Sequence, residues 1–405
     1  MSDTSLRRAR TLLGVTVAVA LLGLAAARPT LAAMCTIDPV PGATLLYPIF
    51  ELDLDAPTTH DTVISVQNVG DSAIIAHVTF WTDWAVPIMD FDVYLARFDV
   101  QTIDMKDVIV DGRLPATGSA VSPHGPLSGS PVAFPGCNNT TTPGNGPVYQ
   151  DPALTVTMRT HLQASLTGKF SPTLGGCGGS NRGNNLARGY ITIDANDACT
   201  LLFPTSAAYF SGPASRRNVL AGDLAILRPG ALHAVSFPAV AIEAAPEGQS
   251  VPGGQTFYGR YLGGSGEDGR EPLPTVFEAR YLDGGVFDGG TDFYVWRETP
   301  GSPPGVVACG NSPSWAPLST EPVAFFDEQE HVTDVNQPFP IALNVQPTAG
   351  LSPYVFGQAF LDLRQLVARP PVAGISQAWV GMLTEATGRF AASNPATSFP
   401  PSCTP

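Results

Sequence analysis

Lysine is nearly missing from this 405-residue chain: Lys106 and Lys169 are its only two, and charged residues of all kinds make up 14% of it, against about a quarter in ordinary globular proteins. The formal net charge is −14 and the arginines are scattered, so no basic patch can be assembled. An acidic surface of this kind repels phosphate backbones and anionic headgroups, which disfavours nucleic-acid and membrane-surface partners. No two cysteines have Cys-x-x-Cys spacing, which removes zinc-knuckle and dithiol redox readings. His-Glu-x-x-His is absent, and His60, His77, His124, His161, His233 and His331 stand singly. His77 falls in a strand pattern, where a structural or surface role outweighs catalysis. The nearest approach to a nucleophile elbow, Gly374-Ile375-Ser376-Gln377-Ala378, lacks the final glycine.

The uncharged apolar run from Leu12 to Ala27 is shorter than the roughly 20 residues of a membrane span. Arg7, Arg8 and Arg10 precede it, and Thr30-Leu31-Ala32-Ala33 supplies small residues after it. Residues 1–33 therefore read as a signal peptide cleaved after Ala32 or Ala33. Met34 stands before Cys35 and breaks the lipoprotein pattern, and the surroundings of Arg7-Arg8 fit twin-arginine export poorly. Leu114-Pro115-Ala116-Thr117-Gly118 spells a sortase signal, but it lies far from the C-terminus. Sec export to the periplasm or the extracellular space is expected, with neither an anchor nor membrane insertion after cleavage. Loss of the peptide removes four basic residues and one acidic one, taking the charge to −17.

Against these shortages stand 41 glycines, 39 prolines and 44% hydrophobic residues, the composition of a turn-dense protein with a real core. Cys35, Cys137, Cys177, Cys199, Cys309 and Cys403 form an even set, for which an oxidising compartment implies disulfides of undetermined pairing. Cys137–Cys177 is the favoured pair, because it would pin two long flexible segments on either side of a predicted helix.

Strands are predicted at Leu45–Leu54, Thr62–Val69, Ala73–Trp81, Phe91–Arg97 and Val100–Val110, the second and third joined by a tight turn at Asn68-Val69-Gly70-Asp71. Residues 111–150 turn to Gly, Pro, Ser, Thr and Asn and read as a loop. Asp151-Pro152, then Leu154, Met158, Leu162 and Leu166 at helical spacing, predict one short helix near 151–167 ended by Gly168. Further strands follow from Tyr190–Asp194 onward: Leu224–Leu227, Ala234–Ile242, Thr256–Leu262, Val276–Leu282, Phe293–Arg297, Val323–Phe326, Ile341–Val345, Tyr354–Leu361 and Ala378–Leu383. The expected fold is mainly β, with one or two antiparallel β-sandwich (immunoglobulin-like) units and long Gly/Pro loops. Its divisions are an N-terminal unit over 34–115, a loop-rich connector over 116–185 and a second β-rich unit over 186–405.

Phe257-x-x-Arg260-Tyr261-Leu262-x-Gly264 recurs as Phe277-x-x-Arg280-Tyr281-Leu282-x-Gly284. Two copies are too few for a solenoid, so adjacent strand-plus-loop units of one sheet are expected. Gly264-x-Gly266-x-x-Gly269 matches a dinucleotide fingerprint, but Arg270-Glu271-Pro272-Leu273-Pro274 cannot open the required helix, so no cofactor is expected. Carboxylates gather at Glu51-x-Asp53-x-Asp55, at Asp90-x-Asp92, at Asp194-x-Asn196-Asp197 and at Asp283, Asp288 and Asp292 among glycines. The last three are the candidate calcium ligands, although no EF-hand order is present and Asp also closes turns without metal. Paired acids also suit a glycosidase, which needs two carboxyls roughly 5 to 10 Å apart. Trp81, Trp84, Tyr258, Tyr261, Tyr281, Trp296 and Trp315 are its candidate sugar platforms, against a core role for the same rings.

At Phe50-Glu51-Leu52-Asp53, Ala76 through Asp83, Phe91-Asp92-Val93-Tyr94-Leu95, and Arg270 through Arg297, the chain resembles a group of uncharacterised secreted bacterial proteins rich in β structure. The resemblance spans most of the chain beyond residue 33, implies no activity and carries over no catalytic residue. The leading expectation is a non-catalytic structural or binding protein of the cell envelope or extracellular space, with carbohydrate or another envelope protein as partner. The alternative is a secreted hydrolase that uses carboxylates on carbohydrate.

Overall fold

In the computed structural model the described residues are 40–115, 154–231, 233–251, 255–262, 268–300, 307–318, 321–336, 338–364 and 377–399. Outside them lie the expected signal peptide, Cys35, Cys137, Cys403, most of the glycine fingerprint, and Gly374 to Ser376. The described residues all fall within one contact unit, Pro39–Pro400. They are mainly β, in several antiparallel sheets.

The first half contributes β1 (Thr44–Asp53), β2 (Asp61–Asn68), β3 (Ile74–Thr82), β4 (Pro87–Leu95), β5 (Val100–Asp104), the two-residue strands β6 (Phe170–Ser171) and β7 (Gly176–Cys177), β8 (Leu186–Asn196), β9 (Leu220–Arg228), β10 (His233–Pro238) and β11 (Val240–Ile242). They form a five-stranded sheet, β11-β1-β8-β3-β4, a four-stranded sheet, β10-β9-β2-β5, and the small ladder β6-β7. The second half contributes β12 (Val276–Leu282), β13 (Gly290–Arg297), β14 (Val323–Phe326), β15 (Val332–Val335), β16 (Leu343–Pro347), β17 (Phe356–Asp362), β18 (Ala378–Ala386), β19 (Phe390–Pro395) and β20 (Thr397–Ser398). These pair as β15-β14-β17-β12-β20 and as β16-β13-β18-β19. Pairing thus runs across the expected boundary at residue 186, because β8 to β11 join the strands of residues 44–104.

Burial patterns explain the pairing. β2 alternates, with Ile64 and Val66 inward and Ser65 and Gln67 less buried, as for a strand with one wet face. β1 and β3 are buried on both faces. Leu45, Val78, Phe80 and Ile193 enter the main core with Ile64, Val66 and Leu224 of the other sheet. Pro48 has no N–H for the ladder, and the register of β1 against β8 shifts between Tyr47 and Phe50. Opposite that irregularity a Cβ on Gly189 would lie 2.3 Å from the Trp81 carbonyl and 2.8 Å from the Phe50 ring, so only glycine fits. A second cluster, built on Phe277, Tyr281, Phe293, Phe325 and Leu361, fills the later strands.

Three local expectations are corrected and one is met. β2 and β3 are not a hairpin: β2 pairs with β5 and β9, whereas β3 pairs with β4 and β8, so the chain changes sheets at Asn68–Ala73. Asn68 fixes that crossing, its amide donating to the carbonyls of Ser72 and Ala96 at 2.8 and 2.9 Å. Val100–Val110 is strand only to Asp104 and then turns helical over Asp107–Asp111, burying Val108 and Ile109. Thr256–Leu262 is a 3-10 helix, Phe257–Tyr261, capped by Thr256, while its sequence twin is strand β12. The expected helix is present as α1 (Val156–Leu166), capped by Thr155, whose hydroxyl accepts from Met158 N at 3.2 Å; Asp151 and Pro152 lie outside the described residues.

Candidate functional site

The candidate site is a cleft of about 670 Å³ where the turn after β1 meets the segment leading into β8, lined by Asp53, Asp55, His60, Lys169, Asn184 and Asn185 among others. Asp53 ends β1 and its carboxylate accepts from the backbone of Asp55 at 2.9 Å, which closes the turn. Asn185 donates from its amide to Asp55 Oδ1 at 2.7 Å, accepts from Lys169 Nζ, and accepts at its carbonyl from Leu54 N at 3.0 Å. Gly168 allows this convergence: its φ is +66°, and a Cβ there would lie 2.2 Å from the backbone of Ser180 and Asn181. The result is a row of carboxylates, amides and one ammonium, suited to hydroxyl groups.

Beneath the cleft sits Glu51, completely buried. Arg188 Nε donates to it at 2.6 Å, Arg228 Nη2 at 3.0 Å, and His60 Nε2 lies at 3.0 Å, so His60 belongs to both cleft wall and floor. Burial alone would raise the pKa of this carboxyl. The Arg188 charge, the His60 hydrogen bond and the Arg228 charge outweigh it and hold the group well below the usual carboxylate range. Arg228 Nη2 also donates to Tyr294 Oη at 3.0 Å, tying the hub to β13.

Asp283, Asp288 and Asp292 are not brought together as ligands. Asp283 accepts from Thr291 N at 2.8 Å and from Thr348 Oγ1 at 2.5 Å, and Asp288 accepts from Thr387 N at 2.9 Å and Arg389 Nη2 at 3.1 Å. Asp292 feels the charges of Arg228, Glu51 and Arg188 instead, and burial raises its pKa. Among the described residues no group of three or more His, Cys, Asp or Glu side chains is placed to hold a metal ion.

The favoured disulfide is also corrected: Cys177 bonds Cys309, with Cα atoms 5.0 Å apart. The backbone of β7 explains the choice, since Cys177 N donates to Val307 O at 2.9 Å and so brings Cys309 alongside. Cys199 is disulfide-bonded as well.

The candidate sugar platforms are core residues. All five tryptophans are buried, and Trp81 stacks between Tyr190 at 5.7 Å and Tyr261 at 6.2 Å while its Nε1 donates to Thr192 Oγ1 at 2.9 Å. No sequence motif marked the pair formed by Ser171 and His161. Ser171 Oγ lies 2.7 Å from His161 Nδ1, and Nε2 lies 3.0 Å from the Ile88 carbonyl. Burial lowers the His161 pKa, which favours the neutral base, yet both side chains are sealed and no substrate reaches them. Ten residues apart, they ligate α1 to β4 and β6 rather than form a reaction centre.

Among the described residues no helix is long and apolar enough to cross a membrane. The chain matches no family model, no curated protein and no solved structure.

Proposed function

We propose that this chain is an exported, non-catalytic binding protein of two immunoglobulin-like β-sandwiches, and that the cleft lined by Asp55 and Asn185 takes a hydroxyl-rich ligand of the carbohydrate class. The sandwich reading draws support from a five-stranded and a four-stranded antiparallel sheet in each half, and from β1 lying against β2 and β9 of the other sheet. Export is supported by the Cys177–Cys309 bond, which persists in oxidising compartments.

The observation that carries the reading is the separation of chemistry from access. The open cleft presents carboxylates, amides and an ammonium fixed by mutual hydrogen bonds, while the Ser171–His161 pair is shut inside. Hydrogen-bonding groups held in place favour recognition, because little side-chain freedom is lost on binding. The test is calorimetry of the purified protein against a panel of neutral oligosaccharides, with hydrolysis followed in parallel. Binding without turnover, weakened about tenfold or more by Asp55→Ala and Asn185→Ala, is the expected result. Release of reducing ends, or binding untouched by both substitutions, overturns the reading.

A further inference from the structure

The face of β3, β4 and β8 that carries His77, Thr79, Asp92 and Asp194 is closed to solvent, and Asp90 at its margin is only partly exposed. A cover closes it: Thr200 N donates to Asp92 Oδ2 at 2.8 Å, the Tyr209 ring stands 5.2 Å from the His77 ring, and the hydroxyls of Tyr209 and Tyr258 each donate to Asp194 at 3.1 Å. His77 is fully buried beneath it, with Nδ1 2.8 Å from Asp92 Oδ1 and Nε2 3.8 Å from Asp90 Oδ2. That Nε2, Asp90 Oδ2 and the neighbouring Thr79 Oγ1 are all buried without a hydrogen-bond partner.

Unpaired buried polar atoms are costly, and three side by side need a physical reason. A neutral imidazole donating from Nδ1 to Asp92 would turn its Nε2 lone pair toward the Asp90 carboxylate, so that two acceptors face one another. A second proton on the ring converts that repulsion into an ion pair. The other charged group nearby is already engaged: Arg270 Nε lies 3.7 Å from Asp194 and donates to Thr44, and its terminal nitrogens donate to the carbonyls of Asp268 and Ser215. His77 therefore faces Asp90 and Asp92 from β4, Asp194 from β8 and Tyr209 from the cover, and is the cation left for the first two.

We propose that His77 is an imidazolium clamped between Asp90 and Asp92, and that its proton latches the Thr200–Phe210 cover onto β3 and β4, closed in mild acid and loosened as the pH rises. The direction follows from the three groups together. Burial raises the Asp90 pKa to about 6 and also raises Asp92. For His77, burial acts to lower the value, but Asp92, Asp90 and Asp194 outweigh it and the pKa is raised. All three groups hold protons more tightly when covered than when open. Closure is fully favoured below their open-state values and is lost as the pH climbs through the covered ones. Asp92 transmits the change, since its second oxygen holds the Thr200 backbone.

Hydrogen exchange on the full chain tests the latch, read as protection factors so that the intrinsic pH dependence of exchange is removed. Between about pH 5.5 and about pH 8.5 the wild-type protection of residues 199–210 falls about tenfold or more, the size of one pKa unit of difference between covered and open states, while α1 is unmoved. Asp90→Asn flattens that fall, and His77→Gln leaves the segment weakly protected at both values. Should His77→Gln fail to fold, imidazole NMR of wild type and Asp90→Asn decides: a doubly protonated His77 near neutral pH supports the latch. A neutral His77, a pH-independent cover, or an Asp90→Asn variant that responds as wild type does overturns it.

Discussion

Glu51 and Asp90 are both carboxylates drawn out of water into the same five-stranded sheet, yet their surroundings push them in opposite directions. Glu51 gathers Arg188, Arg228 and His60, a surplus of positive charge that keeps it ionised. Asp90 shares one imidazole with Asp92 and holds its proton up to about pH 6. The difference teaches that burial of an acid is not one condition. A carboxylate with more than its share of cations is a fixed joint, and one with less is a proton-dependent contact.

The sharpest way to break the comparison is to remove the surplus-side acid. Glu51→Ala leaves two partly buried arginines without the carboxylate they both bond, and a buried pair broken on one side costs about 3–5 kcal/mol. Chemical denaturation is expected to show a loss of that size near neutral pH, together with a weaker cleft, because His60 loses its anchor. A loss below about 1 kcal/mol would mean that the hub is effectively solvated.

The second test sets the two centres against each other by pH. Glu51, with its lowered pKa, contributes stability that is present above its unfolded value near 4.5 and fades only in strong acid. Asp90 at about 6, and Asp61, Glu271 and Glu298 each at about 7, act in the opposite sense. Burial is the first cause for all four, with the neighbouring charges of Asp104 and Glu243 adding for Asp61 and Glu271. Their protonated forms favour the folded state, so stability is lost as the pH rises through their folded values. Calorimetry is expected to place the highest Tm in mild acid, with a decline from about pH 4 to about pH 7 that levels off above it, and a fall on the acid side only as the carboxylates of the Glu51 type protonate. A Tm that climbs steadily toward pH 8 contradicts the raised set.

Asp90→Asn sharpens the same contrast from the deficit side. The amide mimics the protonated acid, so the substitution is expected to stabilise the fold by about 2–3 kcal/mol at about pH 8, by about half as much at about pH 5, and to change little at about pH 3. Denaturation midpoints at these pH values measure it directly.

Much of the frame was legible in the sequence because short β-branched and aromatic runs between turn residues leave few alternatives: Val323–Phe326 is strand to the residue, and Phe293–Arg297 lies within β13. Two things escaped. Period-two alternation in Phe91-Asp92-Val93 and in Tyr190 through Asp194 says that one face is polar, but not that a distant segment covers that face, which is what buries His77, Asp92 and Asp194. Nor does residue type fix conformation where packing decides. Phe257-x-x-Arg260-Tyr261 turns helical, packing Phe257 against Trp296 at 4.9 Å, whereas Phe277-x-x-Arg280-Tyr281 pairs as strand with β17. The Glu51 hub was invisible for a simpler reason, since its arginines stand 137 and 177 positions along the chain.

The smallest expected effect supplies the reference against which both acid centres are read. Thr155 caps α1 through one hydroxyl contact to Met158 N, and neither partner of that contact titrates. Thr155→Ala is expected to cost about 1 kcal/mol, the ordinary value of an N-cap, and to cost the same at acid and neutral pH, because neither the cap nor its partner titrates. Equality of that loss across pH, measured beside Glu51→Ala and Asp90→Asn, ties any pH-dependent difference in those two variants to local charge. A cap loss that itself varied with pH would place the proton sensitivity in the whole fold, and the contrast between Glu51 and Asp90 would lose its meaning.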